Sequence, residues 1–223
     1  MDRYSIEKTY RFYAPVYDIL FGNIFNPGRR RIVDLVNRSA CRKILELGVG
    51  TGISLPHYSR SKMIIGIDVS THMLSKARRR MASHSVDNAA LFVMDAENMA
   101  FRDNSFDTVI LMYTISVVPN PDKVFKEIRR ICRAGGDIFV LNHFSSSNRL
   151  INFLEKFITP LSHIIGFKSN FSLEENIINE NFRVLSINPV NIFGYWTLVH
   201  MKNETADTSQ GCYDYPARTA STV

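Results

Sequence analysis

The stretch KILELGVGTG, residues 43–52, constrains this chain more than any other. A short apolar run ends directly in Gly48, Gly50 and Gly52. Bounded by a glycine turn, such a run reads as a strand buried on both faces, the pattern of a parallel sheet. The glycines let the backbone turn sharply and approach a ligand closely, with the amides of the following segment available to it. The dinucleotide fingerprint would place a further glycine where Ile53 stands, so the loop suits a nucleoside better than a pyrophosphate.

The pattern beyond the loop alternates strand and helix. Strands are predicted at Lys43–Gly48, Lys62–Ser70, Ala89–Asp95, Phe106–Thr114 and Gly136–Phe144. Helical spacing falls in SLPHYSR (54–60), in THMLSKARRRMAS (71–83) and in PDKVFKEIRRICR (121–133), where AGG is expected to stop the helix. This rhythm predicts an α/β fold with a mostly parallel sheet and helices on both faces. FRVLSINPV and GYWTLVHMKN are separated by only three residues and predict an antiparallel pair. The expected organisation is an aromatic N-terminal segment over 1–25, one domain over 26–203 and a disordered polar tail over 204–223. No run reaches the ~20 apolar residues of a membrane span, and the start lacks the apolar core of a secretory signal, so a cytoplasmic protein is expected. The three cysteines form no CxxC pair, and no metal is expected. The formal net charge of +6 favours anionic partners.

Asp68 and Asp95 close the second and third predicted strands, at the sheet end where such folds bind ligands. Asp68 is placed to accept both hydroxyls of a ribose, and Asp95 to reach an adenine edge beside the backbone of Ala96. Either alone would read as a helix cap; glycine loop and both carboxylates at successive strand ends read as one site. ILELGVGTG, GID and DAENMAF resemble, over residues 42–144, the motifs of the class I S-adenosylmethionine-dependent methyltransferases. The resemblance implies a Rossmann-like sheet of seven strands with the last antiparallel, and S-adenosylmethionine as cofactor. It places Glu46 beside the cofactor's methionine part, and implies that Tyr17, Val69 and Met112 join Gly48, Gly50, Gly52, Asp68, Asp95 and Ala96 in binding it.

Three stretches bear on the methyl acceptor. In FYAPVYDIL (12–20), Tyr13 and Tyr17 flank Pro15; aromatic faces suit a sulfonium or a quaternary ammonium, though an aromatic core stripe would look the same. MYTISVVPNP (112–121) lacks the DPPY-like run of amino-group methylases acting on DNA, which lowers the nucleic-acid reading. LNHF (141–144) puts Asn142 and His143 at or beside the same crevice. YxxxAPVYDxxFGxxFxxGRR (from Tyr10), YTISVVPNP and NHF resemble, over about residues 4–200, the soluble bacterial phosphatidylethanolamine N-methyltransferases, a branch related to the quinone-biosynthesis C-methyltransferases. This implies stepwise N-methylation of a phospholipid by a protein held peripherally at the inner, anionic membrane face. Arg3, Lys8 and Arg11, with Arg29, Arg30 and Arg31, are the expected membrane contacts, each contributing ~1 kcal/mol near such a surface. An ammonium acceptor must lose a proton before attack. His143 is the first candidate to take it, because its pKa lies nearest the working pH, with Tyr17 and Tyr113 as alternatives. A quinone-ring C-methyltransferase, a small-molecule methyltransferase, a cofactor-binding regulator without catalysis and, disfavoured by Ile53, a nucleotide-dependent oxidoreductase are the rival readings.

Overall fold

The computed structural model describes residues 26–142, 182–190 and 196–204. Helix α1 covers 26–38. It is followed by β1 (Lys43–Leu47), β2 (Met63–Asp68), α2 (Thr71–Ser83), β3 (Ala89–Val93), β4 (Phe106–Met112), α3 (Pro121–Ile131), β5 (Cys132–Asn142), β6 (Phe182–Val190) and β7 (Trp196–Asn203). The seven strands form one sheet in the order β3-β2-β1-β4-β5-β7-β6. Strands β1 to β5 run parallel, while β7 is antiparallel to both neighbours, as the short join in the sequence predicts. The chain winds outward from β1 through β3, then returns to place β4 on the other side of β1. That reversal opens a crevice at the carboxyl ends of β1 and β4.

Side-chain alternation assigns the two faces. Leu45, Leu47, Val109 and Leu111 point one way and meet α3 through Val124, Phe125, Ile128 and Ile131, all fully buried. Burying each of these α3 side chains is worth about 1.5–3 kcal/mol. Ile44 and Ile110 point the other way, against Ile32, Val33 and Val36 of α1 and Leu74 of α2. Glu46 follows Ile44 by two residues, so it faces the α1 side. Helix α2 starts at Ser70, whose hydroxyl accepts from the Met73 amide at 3.3 Å.

Three sequence expectations are corrected. SLPHYSR is not a helix: it holds one 3-10 turn, Leu55–His57, with Pro56 at its second position, and the chain is extended again at Tyr58. Helix α3 stops at Ile131, and AGG lies inside β5. There Gly135 takes φ +69° and the β4–β5 register shifts between Phe106 and Thr108, the signature of a bulge. Strand β4 ends at Met112 because Tyr113 adopts φ +61°, outside the extended region.

Asp137 stitches β5 to β7: its Oδ1 accepts from His200 Nε2 at 2.7 Å and pairs with Lys202 Nζ at 2.8 Å. Burial pushes this carboxyl up, but the bonds from His200 and Lys202 outweigh it and hold it below the usual carboxylate range. A depressed folded pKa contributes stability that is complete above the unfolded value of about 3.9 and is lost as pH falls through the folded one. Asp137→Asn is therefore expected to cost about 1–3 kcal/mol near neutral pH. Thermal melts should show the gap to the parent closing as pH drops below 4.

Candidate active site

A cleft of about 600 Å³ lies at the carboxyl ends of β1, β2 and β4, within the usual size for a cofactor-sized ligand. One wall is the loop after β1. Gly48 has φ +65°, and a Cβ there would sit 2.4 Å from the Thr114 side chain, so only glycine fits. Gly48 and Gly50 line the cleft. Gly52 does not: at φ +71° it packs against Leu55 and Ala77, fitting the loop onto α2.

Asp68 anchors the opposite wall. Its Oδ2 accepts from the Gly50 amide at 2.9 Å and its Oδ1 from the Ser70 amide at 2.8 Å. Burial raises its pKa, and the two amides oppose that rise. Each oxygen keeps a lone pair, so the carboxylate that ties loop to strand can also accept ribose hydroxyls. Val69, half exposed, and Ala96 line the same end. Asp95 lies two residues beyond β3 and its Oδ1 accepts from the Glu97 amide at 3.0 Å, an Asx turn that presents it to the cleft. Met112 closes this region at the end of β4.

Glu46 sits deeper, 3% exposed. Ser54 Oγ donates to it at 2.6 and 2.8 Å, and Tyr58 OH at 2.9 Å. Burial pushes this carboxyl up, and the bonds from Ser54 and Tyr58, with the field of Arg29, hold it back. Arg29 also lines the cleft, with its guanidinium 5.8 Å from the centroid of the Tyr113 ring. Tyr113 and Thr114 complete this end; the Thr114 hydroxyl lies 3.2 Å from Leu47 O and 3.1 Å from Met112 O.

The structure thus brings Glu46, Gly48, Gly50, Asp68, Val69, Asp95, Ala96, Met112 and Tyr113 to one cleft. Tyr17 and His143 lie outside the described residues. Asn142 is buried, receives Ser116 Oγ at 3.3 Å and does not line the cleft. Among the described residues, no cluster of His, Cys, Asp or Glu could hold a metal ion.

Three participants went unread in the sequence: Ser54, Tyr58 and Arg29. The first two reach Glu46 only through the turn that replaced the expected helix. Arg29 was grouped with Arg30 and Arg31 as a membrane contact, yet it is 8% exposed while they are exposed. Its signal was available, since 29, 32, 33 and 36 share one helical face.

The comparisons agree with this geometry. A family model described as a methyltransferase domain matches residues 45–140, the segment from β1 to β5. The phosphatidylethanolamine N-methyltransferase of Cereibacter sphaeroides is 34% identical over 91% of this chain and 99% of its own length. A ubiquinone/menaquinone biosynthesis C-methyltransferase of Pseudomonas putida is 27% identical, over 63% of this chain and 57% of its own. Among solved structures, a SAM-dependent methyltransferase of Thermotoga maritima superposes with a TM-score of 0.65 at 20% identity, covering 89% of this chain and all of that one. A sheet of this order, with its cleft at the β1–β4 reversal, defines with these matches an S-adenosylmethionine-dependent methyltransferase. The chain belongs to the methyltransferase family that includes the Cereibacter sphaeroides enzyme.

The cleft's own residues fit the cofactor. It offers a carboxylate with spare lone pairs at one end, a glycine that only a bare backbone can occupy in the middle, and a buried acid and guanidinium at the other. The bound cofactor supplies a methyl group on a sulfonium. The protein's part is to hold that carbon in line with the acceptor, an alignment worth as much as ~7–11 kcal/mol of barrier.

Proposed function

We propose that this methyltransferase transfers methyl groups stepwise to the amine of phosphatidylethanolamine, toward phosphatidylcholine. The observation that carries the reading is the reach of the first similarity: it spans 203 residues, well beyond the shared domain at 45–140, whereas the C-methyltransferase match covers 145 residues. Acceptor choice lies in the flanking segments, so similarity that includes them bears on the substrate. In this reading Asp68, with Val69, Asp95, Ala96 and Met112, holds the nucleoside. Glu46 and the loop at Gly48 and Gly50 hold the methionine part, Gly52 seats that loop on α2, and Tyr17 closes over the cofactor. His143 takes the proton from the ammonium, with Tyr17 and Tyr113 next in line. Tyr113 lines the described cleft.

A lipid acceptor requires the enzyme to work at a bilayer, and no helix among the described residues is long and apolar enough to cross one. Peripheral docking on an anionic face supplies the alternative. Arg30, Arg31 and Arg38 of α1 and Arg78 and Arg79 of α2 are exposed on helices covering the same side of the sheet, and support it. Co-sedimentation with vesicles is expected to rise with phosphatidylglycerol and to fall several-fold between low and high salt. Equal binding to neutral vesicles at both salts would remove the electrostatic part. The decisive assay follows a labelled methyl group from S-adenosylmethionine into a total lipid extract resolved by headgroup. Label in mono-, di- and trimethylated headgroups is expected; label confined to the quinone fraction would transfer the enzyme to the C-methylating branch.

A further inference from the structure

We infer that Arg29 is the cleft's receptor for an oxyanion carried by a bound reactant, either the carboxylate of the cofactor's amino-acid end or the phosphodiester of the lipid headgroup. The inference rests on the methyltransferase assignment, and its lipid arm on the phosphatidylethanolamine reading. Arg29 is nine-tenths buried, and its Nη1 has no hydrogen-bond partner among the described residues. A guanidinium is a permanent cation with five donors, and a buried charge is retained only when paired. The ring of Tyr113 beneath it supplies an attractive face, not an acceptor. Glu46 is close enough for the two charges to feel each other, yet its oxygens are turned to Ser54 and Tyr58 and Arg29 Nη1 reaches neither of them. A donor that is charged, buried and left over at the edge of a ligand cleft fits an acceptor that arrives with the ligand. Carboxylate and phosphate both match the planar fork of Arg better than the point charge of Lys.

The test titrates the parent protein, Arg29→Lys and Arg29→Met by calorimetry with three probes. S-adenosylhomocysteine carries the carboxylate; 5′-methylthioadenosine has the same nucleoside and sulfur without the amino-acid end; glycerophosphoethanolamine carries the phosphodiester. If the cofactor is the source, Arg29→Met should lose about tenfold or more for S-adenosylhomocysteine. Arg29→Lys should fall in between, and methylthioadenosine should stay within twofold. If the lipid is the source, the loss should fall on glycerophosphoethanolamine alone. Parent protein that ignores glycerophosphoethanolamine but shows the first pattern would count against the lipid reading and support the receptor. Unchanged affinities for all three probes would overturn the inference. So would an equal loss for S-adenosylhomocysteine and methylthioadenosine with a lowered Tm in both variants, because that marks a residue holding the fold.

Discussion

Asp68→Ala is expected to weaken S-adenosylmethionine binding more than tenfold and to lower Tm at the same time. The two effects share one carboxylate. Towards the ligand, it would leave the ribose hydroxyls without a charged acceptor, a bond worth about 1.5–3 kcal/mol. Towards the protein, it would strand the amides of Gly50 and Ser70, which it receives at 2.9 and 2.8 Å. The first tethers the glycine loop to β2, and the second sets the start of α2. Asp68→Asn should not rescue fully, because its NH₂ group would face one of those two amides donor to donor. The pH dependence has a definite sign. Burial raises the pKa of Asp68, so the protonated form persists above the ordinary carboxylate range. Cofactor affinity in the parent should fall as pH is lowered through that raised value, and the alanine variant should lack this step. Calorimetric titration across pH, beside thermal melts, checks each part. An unchanged dissociation constant would take Asp68 out of the site, and a lowered Tm with normal affinity would leave it only the tether.

The sheet and the residues that strand ends bring to the cleft were legible in the sequence, whereas the partners of Glu46 and the separate place of Arg29 were not, for physical reasons. Strand identity is carried by local runs such as KILEL and MIIGID, whose apolar faces have no other use. Asp68 was legible because a carboxylate at a strand's carboxyl end is positioned by the strand itself. The partners of Glu46 were not, because Ser54 and Tyr58 reach it only after the turn around Pro56 folds back, and no periodicity encodes that return. AGG misled for a related reason: glycines that end a helix and glycines that relax a bulge read alike until the register with β4 is known. Arg29, Arg30 and Arg31 are chemically identical neighbours, and only the 100° step of α1 separates the one that faces the cleft from the two that face water.

His143→Ala is expected to cut turnover by about 10²–10⁴-fold, the usual loss for a general base, while leaving S-adenosylmethionine affinity and Tm near the parent values. The demand comes from the acceptor. A primary ammonium has a pKa near 10.4 in water, and it has no lone pair with which to attack the methyl carbon until a proton leaves. Some group must take that proton, and an imidazole is the side chain whose ordinary pKa lies nearest the working pH. The residue itself lies outside the described residues, one position past Asn142 at the end of β5. Turnover in the parent should decline below about pH 6–7 as the imidazole charges, and the alanine variant should lose that limb. Tyr113→Phe is the companion measurement, because Tyr113 lines the cleft beneath Arg29. Full turnover in His143→Ala with a collapse in Tyr113→Phe would move the proton to the phenol. A joint fall of turnover, cofactor affinity and Tm in His143→Ala would instead make the histidine a support for the end of β5. Normal turnover in both variants would leave Tyr17 as the next acceptor to remove.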